Sequence, residues 1–274
     1  MPIVQAAARG VSSLLGRESA VVRALRPLYE ATLAAACWRR GIEWPINGVS
    51  YRVDPRQRRR LGQEYEQPVA DYLRGRLGAG MTCFDIGANV GAYVLQLACW
   101  TAPAGRIFAF EPNPDACRVL RRHILYNGLL GRVEIVPAAV SSENGTQTLY
   151  AAGPDGMSRL AAPNRGLDGR TVSREVPVLT VDGFCRSRNV RPDLLLFDIE
   201  GFEIQALRGA EACIRAAGPS LTVVVEMHPN VWDSAGSSRE DAERLIASLG
   251  RRVVPLSGQR DPLADHGLVA LEPL

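Results

Sequence analysis

From residue 81 onward, short apolar runs of strand length alternate with longer segments whose apolar residues recur at helical spacing. Two of the runs, "LLLFDI" from Leu194 and "LTVVVEM" from Leu221, are apolar almost throughout. A strand with one wet face alternates apolar and polar residues, so unbroken runs require cover on both faces. Helices supply that cover in a doubly wound α/β domain, which is the fold class the pattern predicts. The strands are expected at 82–86, 106–111, 133–140, 193–198, 221–226, 252–256 and 268–271, and the helices at 92–100, 114–126, 202–217 and 238–249.

The rest of the chain is organised around this unit. Apolar residues at helical spacing among arginines (Val11, Leu14, Leu15, Val22, Leu25, Leu28, Tyr29, Leu33) make 1–47 a helical extension. Glu18 and Glu30 dilute its basic face. That favours packing on the main domain or a second subunit (a homodimer) over docking on a membrane or a biosynthetic partner. Residues 48–274 form the α/β domain, opening with a short strand and turn at "GVSYRVDP" and a helix over 64–78. Residues 141–180, rich in Gly, Pro, Asn and Asp, are expected to be a lid or substrate loop.

Composition removes several functions. The 274 residues contain no lysine, and all 32 basic side chains are arginine. Schiff-base chemistry and a phosphate-binding P-loop lysine are therefore excluded. A net charge of +3 argues against a general nucleic-acid binder. Six cysteines without a C-x-x-C pair read as reduced thiols, mostly buried, with no zinc site among them. The longest early apolar run, "ATLAAACW", is far short of the ~20 residues of a membrane span. With no signal peptide evident, a soluble cytoplasmic protein is expected.

The expected ligand site lies where "FDIGANVGAYVLQL" (residues 84–97) turns from strand to helix. Gly87 and Gly91 let a ligand approach the backbone at a helix N-terminus. Glu111 closes the next strand, 20 residues after Gly91. A carboxylate there can accept both hydroxyls of an adenosine ribose and disfavours a 2′-phosphate. NAD and S-adenosylmethionine both satisfy this. The dinucleotide pattern G-x-G-x-x-G places a glycine where this chain has Asn89. The acidic Asp85 suits a methionine ammonium better than a pyrophosphate. S-adenosylmethionine is the expected cofactor, with an NAD-dependent oxidoreductase as the alternative.

"FDIGANVGAYVLQLA", "GRIFAFEPNPDACRVLRRHILYNGL", "VPAAVSSENG", "DLLLFDIEGFEIQALRGA" and "VVVEMHP" together resemble the FkbM family of S-adenosylmethionine-dependent methyltransferases over roughly residues 48–250. The resemblance implies a class I methyltransferase (Rossmann-like) fold, with seven strands of which the last is antiparallel. It also implies O-methylation of a sugar, glycan or natural-product hydroxyl. Asp85, Gly87, Asn89 and Gly91 would surround the methionine portion, and Glu111 the ribose. Pro112, Asn113 and Ala139 (or Ala138) would follow the adenosine, and Tyr93 would close over the methionine or simply pack. Ser158 matches a serine of the family's variable loop and is a candidate substrate contact. The chain departs from the family at Leu196-Phe197, where a lysine and an aliphatic residue are usual, so any substrate role of that lysine is lost.

For the chemistry, "FDIEGFE" sets Asp198 and Glu200 at the lip of the sheet, with Glu203 opening the next helix. Glu226 and His228 end the fifth strand on one side of it. Asp198, Glu200 and His228 are the candidate catalytic residues and Glu226 a candidate substrate contact. Asp198 and Glu226 could hold Mg²⁺, but the spacing is no metal signature and no metal is predicted. The turns used by nucleic-acid amine and cytosine-C5 methyltransferases are absent, so a nucleic-acid substrate is disfavoured. A catalytically silent partner protein is the remaining non-enzymatic reading.

Overall fold

A computed structural model describes residues 19–151, 153, 158–160 and 171–274. Val11, Leu14 and Leu15 of the expected extension lie outside the described residues, as do 154–157 and 161–170 of the expected loop.

The chain enters through helix α1 (Ala20–Cys37) and a hairpin of β1 (Ile42–Ile46) and β2 (Val49–Val53). Asn47 and Gly48 take φ of 48° and 79°, the left-handed pair that an Asn-Gly hairpin turn requires. This hairpin crosses the 47/48 position and was not expected from the sequence. Leu33 and Cys37 of α1 pack with Ile46, Val53, Val90 and Leu95, so α1 is seated on the main domain. Asn47 also donates to the Tyr65 carbonyl (2.7 Å) and Gln96 Oε1 (2.9 Å), and accepts from the Tyr65 amide. The hairpin thereby holds Tyr65 in place ahead of α2 (Gln67–Arg74), a helix shorter than the expected 64–78.

The core is a seven-stranded sheet of β3 (Thr82–Ile86), β4 (Arg106–Phe110), β5 (Val133–Val136), β10 (Leu194–Phe197), β11 (Thr222–Met227), β12 (Arg251–Pro255) and β13 (Gly267–Pro273). Its order is β12-β13-β11-β10-β3-β4-β5, and β13 runs antiparallel to both neighbours. Helices α3 (Ala92–Trp100), α4 (Pro114–Tyr126), α5 (Val181–Arg188), α6 (Glu203–Arg208), α7 (Glu211–Ala217) and α8 (Arg239–Ser248) flank it. Leu194 to Phe197 are wholly buried, as the apolar runs demanded.

Three expectations are corrected. The run 133–140 is not one strand: Pro137 offers no N–H to a ladder, and the chain leaves β5 to form β6 (Ala139–Val140). Strand β6 belongs to a second sheet, β6-β9-β7-β8, with β7 (Gly145–Ala151), β8 (Arg159–Leu160) and β9 (Val172–Leu179). Much of 141–180 is therefore paired strand rather than loop, with Gly145 to Ala151 antiparallel to Val172 to Val178. The helix expected over 202–217 breaks at Gly209, where a Cβ would stand 2.1 Å from the Ser141 carbonyl oxygen.

Candidate active site

Strands β4, β3 and β10 end level, with Ile86 paired to both Phe110 and Phe197. From β3 the chain crosses to β4 on one side, while β10 leads to β11 on the other. The crevice between β3 and β10 is the point where the winding reverses, the usual ligand position in such sheets. There the two edge turns touch. Gly87 has φ 93°, and a Cβ on it would lie 1.8 Å from the Asp198 carbonyl oxygen. Gly91 has another duty. At φ 95°, a Cβ on it would meet Leu120 Cδ1 at 2.5 Å, so its missing side chain lets α3 and α4 approach.

Two hollows meet across this turn. One, open to solvent, lies beside Glu111, Pro112, Asn113, Ala138, Ala139 and Ser158, with Glu200 on its lining. The other lies beside Arg60, Tyr65, Asp85 and Tyr93. Gly87, Asn89 and Asp198 line both. Gly91, Glu226 and His228 line neither. Arg60 and Tyr65 were not expected from the sequence, because both precede the α/β pattern; Asn47 holds Tyr65 at the turn.

Glu111 is buried and accepts the amides of Asn89 (2.7 Å, Oε2) and Asn113 (2.7 Å, Oε1). Each oxygen keeps one further acceptor position. Burial, opposed by those two amides, pushes its carboxyl up to about 7. Asn113 caps α4 by accepting the Asp115 amide, and its Nδ2 donates to Ser158 Oγ (3.1 Å) and the Gly153 carbonyl. Ser158 thus stands beside the Glu111 hollow. Asp85 Oδ2 and Asn89 Oδ1 are buried acceptors with no hydrogen-bond partner among the described residues. Burial, and then the charges of Asp198, Glu111 and Glu66, raise the Asp85 carboxyl well above its usual range. Two orphaned acceptors in one hollow fit a donor-rich cationic group such as an amino-acid ammonium. Tyr93 donates to Glu66, which φ 45° turns inward just before α2.

Asp198 and Glu226 lie close enough for each carboxyl to affect the other. Burial, followed by the Glu226 charge, raises the Asp198 carboxyl well above its usual range. Behind this pair the wholly buried Glu203 accepts the Gly201 amide (2.6 Å), Trp232 Nε1 (2.8 Å) and His228 Nδ1 (2.7 Å). Burial lowers the His228 imidazole, but the bond to Glu203 and the surrounding carboxylates outweigh it and the net shift is upward. His228 Nε2 then faces Glu200 at 3.8 Å and Glu226 at 3.9 Å. His266, absent from the sequence reading, also reaches Glu226, at 3.0 Å. The antiparallel β13 brings its own start to the carboxyl edge of β11, a position no local pattern announces. Arg159 Nε lies 3.7 Å from Glu200 and is buried without a hydrogen-bond partner among the described residues.

The strand order, with the last strand antiparallel and a crevice at the switch point, is that of the class I methyltransferase fold. The methyltransferase FkbM domain model matches residues 85–253, and the chain belongs to that family. Hexuronic acid methyltransferase AglP of Haloferax volcanii is 25% identical over 199 residues, 72% of this chain and 74% of that protein. Methyltransferase sdnD of Sordaria araneosa is 30% identical over 197 residues, 61% of this chain and 71% of that protein. A crystal structure of an FkbM methyltransferase from Methylobacillus flagellatus is 17% identical, with a TM-score of 0.49. The match covers 71% of this chain and 44% of that one, so this chain spans less than half of its length. Among the described residues no helix is long and apolar enough to cross a membrane.

Proposed function

We propose that the protein transfers a methyl group from S-adenosylmethionine to a hydroxyl of a sugar, glycan or natural product. The observation that carries this is Asp198, which borders both hollows and so stands where an adenosine-side and a methionine-side ligand would meet. Glu111 would accept the ribose hydroxyls on its two remaining positions, with Pro112, Asn113 and Ala139 along the adenosine. Asp85 and Asn89 would accept the ammonium, and Tyr65 and Tyr93 would wall the methionine chain. S-adenosylmethionine supplies an electrophilic sulfonium methyl when bound. The protein aligns the acceptor oxygen and takes its proton. We assign the proton to Asp198, whose carboxyl is made a better proton acceptor than an ordinary aspartate by burial and the Glu226 charge. Glu200 and His228 orient the acceptor.

The acceptor class draws support from two directions. AglP acts on a hexuronic acid, and here the buried Arg159 Nε, ion-paired with Glu200 at 3.7 Å, makes no hydrogen bond among the described residues. A sugar bearing a carboxylate would satisfy it. The test is transfer of a labelled methyl to uronate-bearing and neutral glycosides. Preferential labelling of the uronates supports this class, and equal labelling of the neutral sugars removes it. Binding measured beside it should be tight for S-adenosylhomocysteine and absent for NAD; the reverse would restore the oxidoreductase alternative.

Glu111 makes a pH prediction. Ribose hydroxyls favour its ionised form, so S-adenosylhomocysteine affinity should rise by up to about tenfold per pH unit below about 7 and level above it. Glu111→Gln should bind at least about tenfold more weakly and lose this slope, because charge-assisted bonds are worth roughly 1.5–3 kcal/mol each. A steep slope surviving in the variant would remove Glu111 from the ribose. The ligand-free protein responds in the opposite sense. A carboxyl raised on folding contributes stability below its unfolded value, and that stability is lost as pH rises through about 7.

A further inference from the structure

Beside the crevice, outside both hollows, Glu226, His228 and His266 converge. The pairing of Met227 with Gly267 sets the end of β11 against the start of β13 and brings the three side chains together. Glu226 Oε1 is 3.0 Å from His266 Nε2, Glu226 Oε2 is 3.9 Å from His228 Nε2, and the imidazole centroids are 4.6 Å apart. One ligand-capable atom from each residue lies within 4.8 Å of the other two. A tetrahedral ion with bonds of 2.0–2.1 Å spaces its ligand atoms by about 3.3 Å. His266 is already in that range, and His228 needs only a small side-chain shift.

The second observation is the support behind His228. Its Nδ1–H donates to the wholly buried Glu203, which Trp232 and Gly201 in turn hold in place. This carboxylate–imidazole pair commits the Nδ1 proton and turns the Nε2 lone pair toward Glu226 and His266. Outer carboxylates orient metal-bound histidines in the same way. Two imidazoles with one carboxylate select a borderline transition ion over Mg²⁺, which prefers oxygen throughout.

We propose that Glu226, His228 and His266 bind one divalent transition-metal ion of the zinc class, with a coordination position left open. Its role rests on the methyltransferase reading above. Asp198 lines both hollows and feels the Glu226 charge, so the ion borders the proposed acceptor site. A substrate hydroxyl entering the open position is acidified. Its O–H bond breaks and the proton passes to Asp198. The O–C bond to the transferred methyl forms as the C–S bond breaks, and S-adenosylhomocysteine leaves.

The test titrates Zn²⁺ into the chelator-treated, dialysed full-length protein, with S-adenosylhomocysteine binding measured on the same samples. His266→Ala is the principal variant because that side chain is 59% exposed and the fold does not depend on it; Glu226→Gln is the second. One zinc equivalent in the wild type is expected, weakened at least about 10–100-fold in both variants, the loss that even an outer-shell change produces. S-adenosylhomocysteine affinity should be unchanged in His266→Ala. No uptake by the wild type overturns the site, and so does equal uptake by His266→Ala. Mg²⁺ binding in preference to Zn²⁺ overturns the ion class. Zinc uptake without S-adenosylhomocysteine binding would leave the metal site standing and bring down the methyltransferase reading instead.

Discussion

Asp198→Asn should lower methyl transfer by about 10²–10⁴-fold, the range supplied by one positioned proton acceptor, while S-adenosylhomocysteine affinity stays within about threefold. Asparagine is close in size, so the crevice should retain its shape. It cannot take a proton. The loss should therefore appear in kcat, with KM nearly constant, because the interaction removed matters only as the acceptor oxygen loses its hydrogen. Steady-state kinetics and calorimetric binding on one preparation decide it. A variant that turns over normally would move the base elsewhere. One that loses cofactor affinity would make Asp198 a binding residue.

Gly87→Ala should be the most damaging single-methyl change in the crevice. The added carbon would stand 1.8 Å from a backbone oxygen, that of Asp198, at φ 93° where a side chain is itself strained. Neither strand end can retreat, since β3 and β10 are paired up to Ile86 and Phe197. We expect a stability loss of about 3 kcal/mol or more, with S-adenosylhomocysteine binding lost at the concentrations the wild type needs. Gly91→Ala is the informative comparison. It meets the tip of Leu120, a flexible side chain, so its cost should fall mainly on stability. Urea unfolding and binding titrations on both variants test the contrast, and equal effects at the two glycines would refute it.

Legibility in the sequence followed the range of the interactions involved. The runs that became β3, β4, β10 and β11 were readable because a strand covered on both faces must be apolar along its length, a condition written residue by residue. The turn from Gly87 to Gly91 and the carboxylate of Glu111 were readable because both sit at strand ends. The break after β5 was missed although Pro137 stood in view, since an apolar run conceals a change of sheet. The paired strands of 141–180 were missed because the first residues of β7 and β9 are exposed on both faces and give no apolar alternation.

The site divides along the same line. Sequence alone determined the α/β class, the switch-point turn and the acid that follows β4, all of which depend on neighbours within a few positions, and its composition excluded lysine chemistry. Tertiary structure alone decided that Tyr65 and Arg60 wall one hollow, that Gly91 serves packing, that Glu203 holds His228, and that His266 stands against Glu226. Those meetings join residues tens to hundreds of positions apart, through an antiparallel last strand and a hairpin clasp. Such contacts are set by sheet register and hydrogen-bond partners rather than by any periodic pattern along the chain.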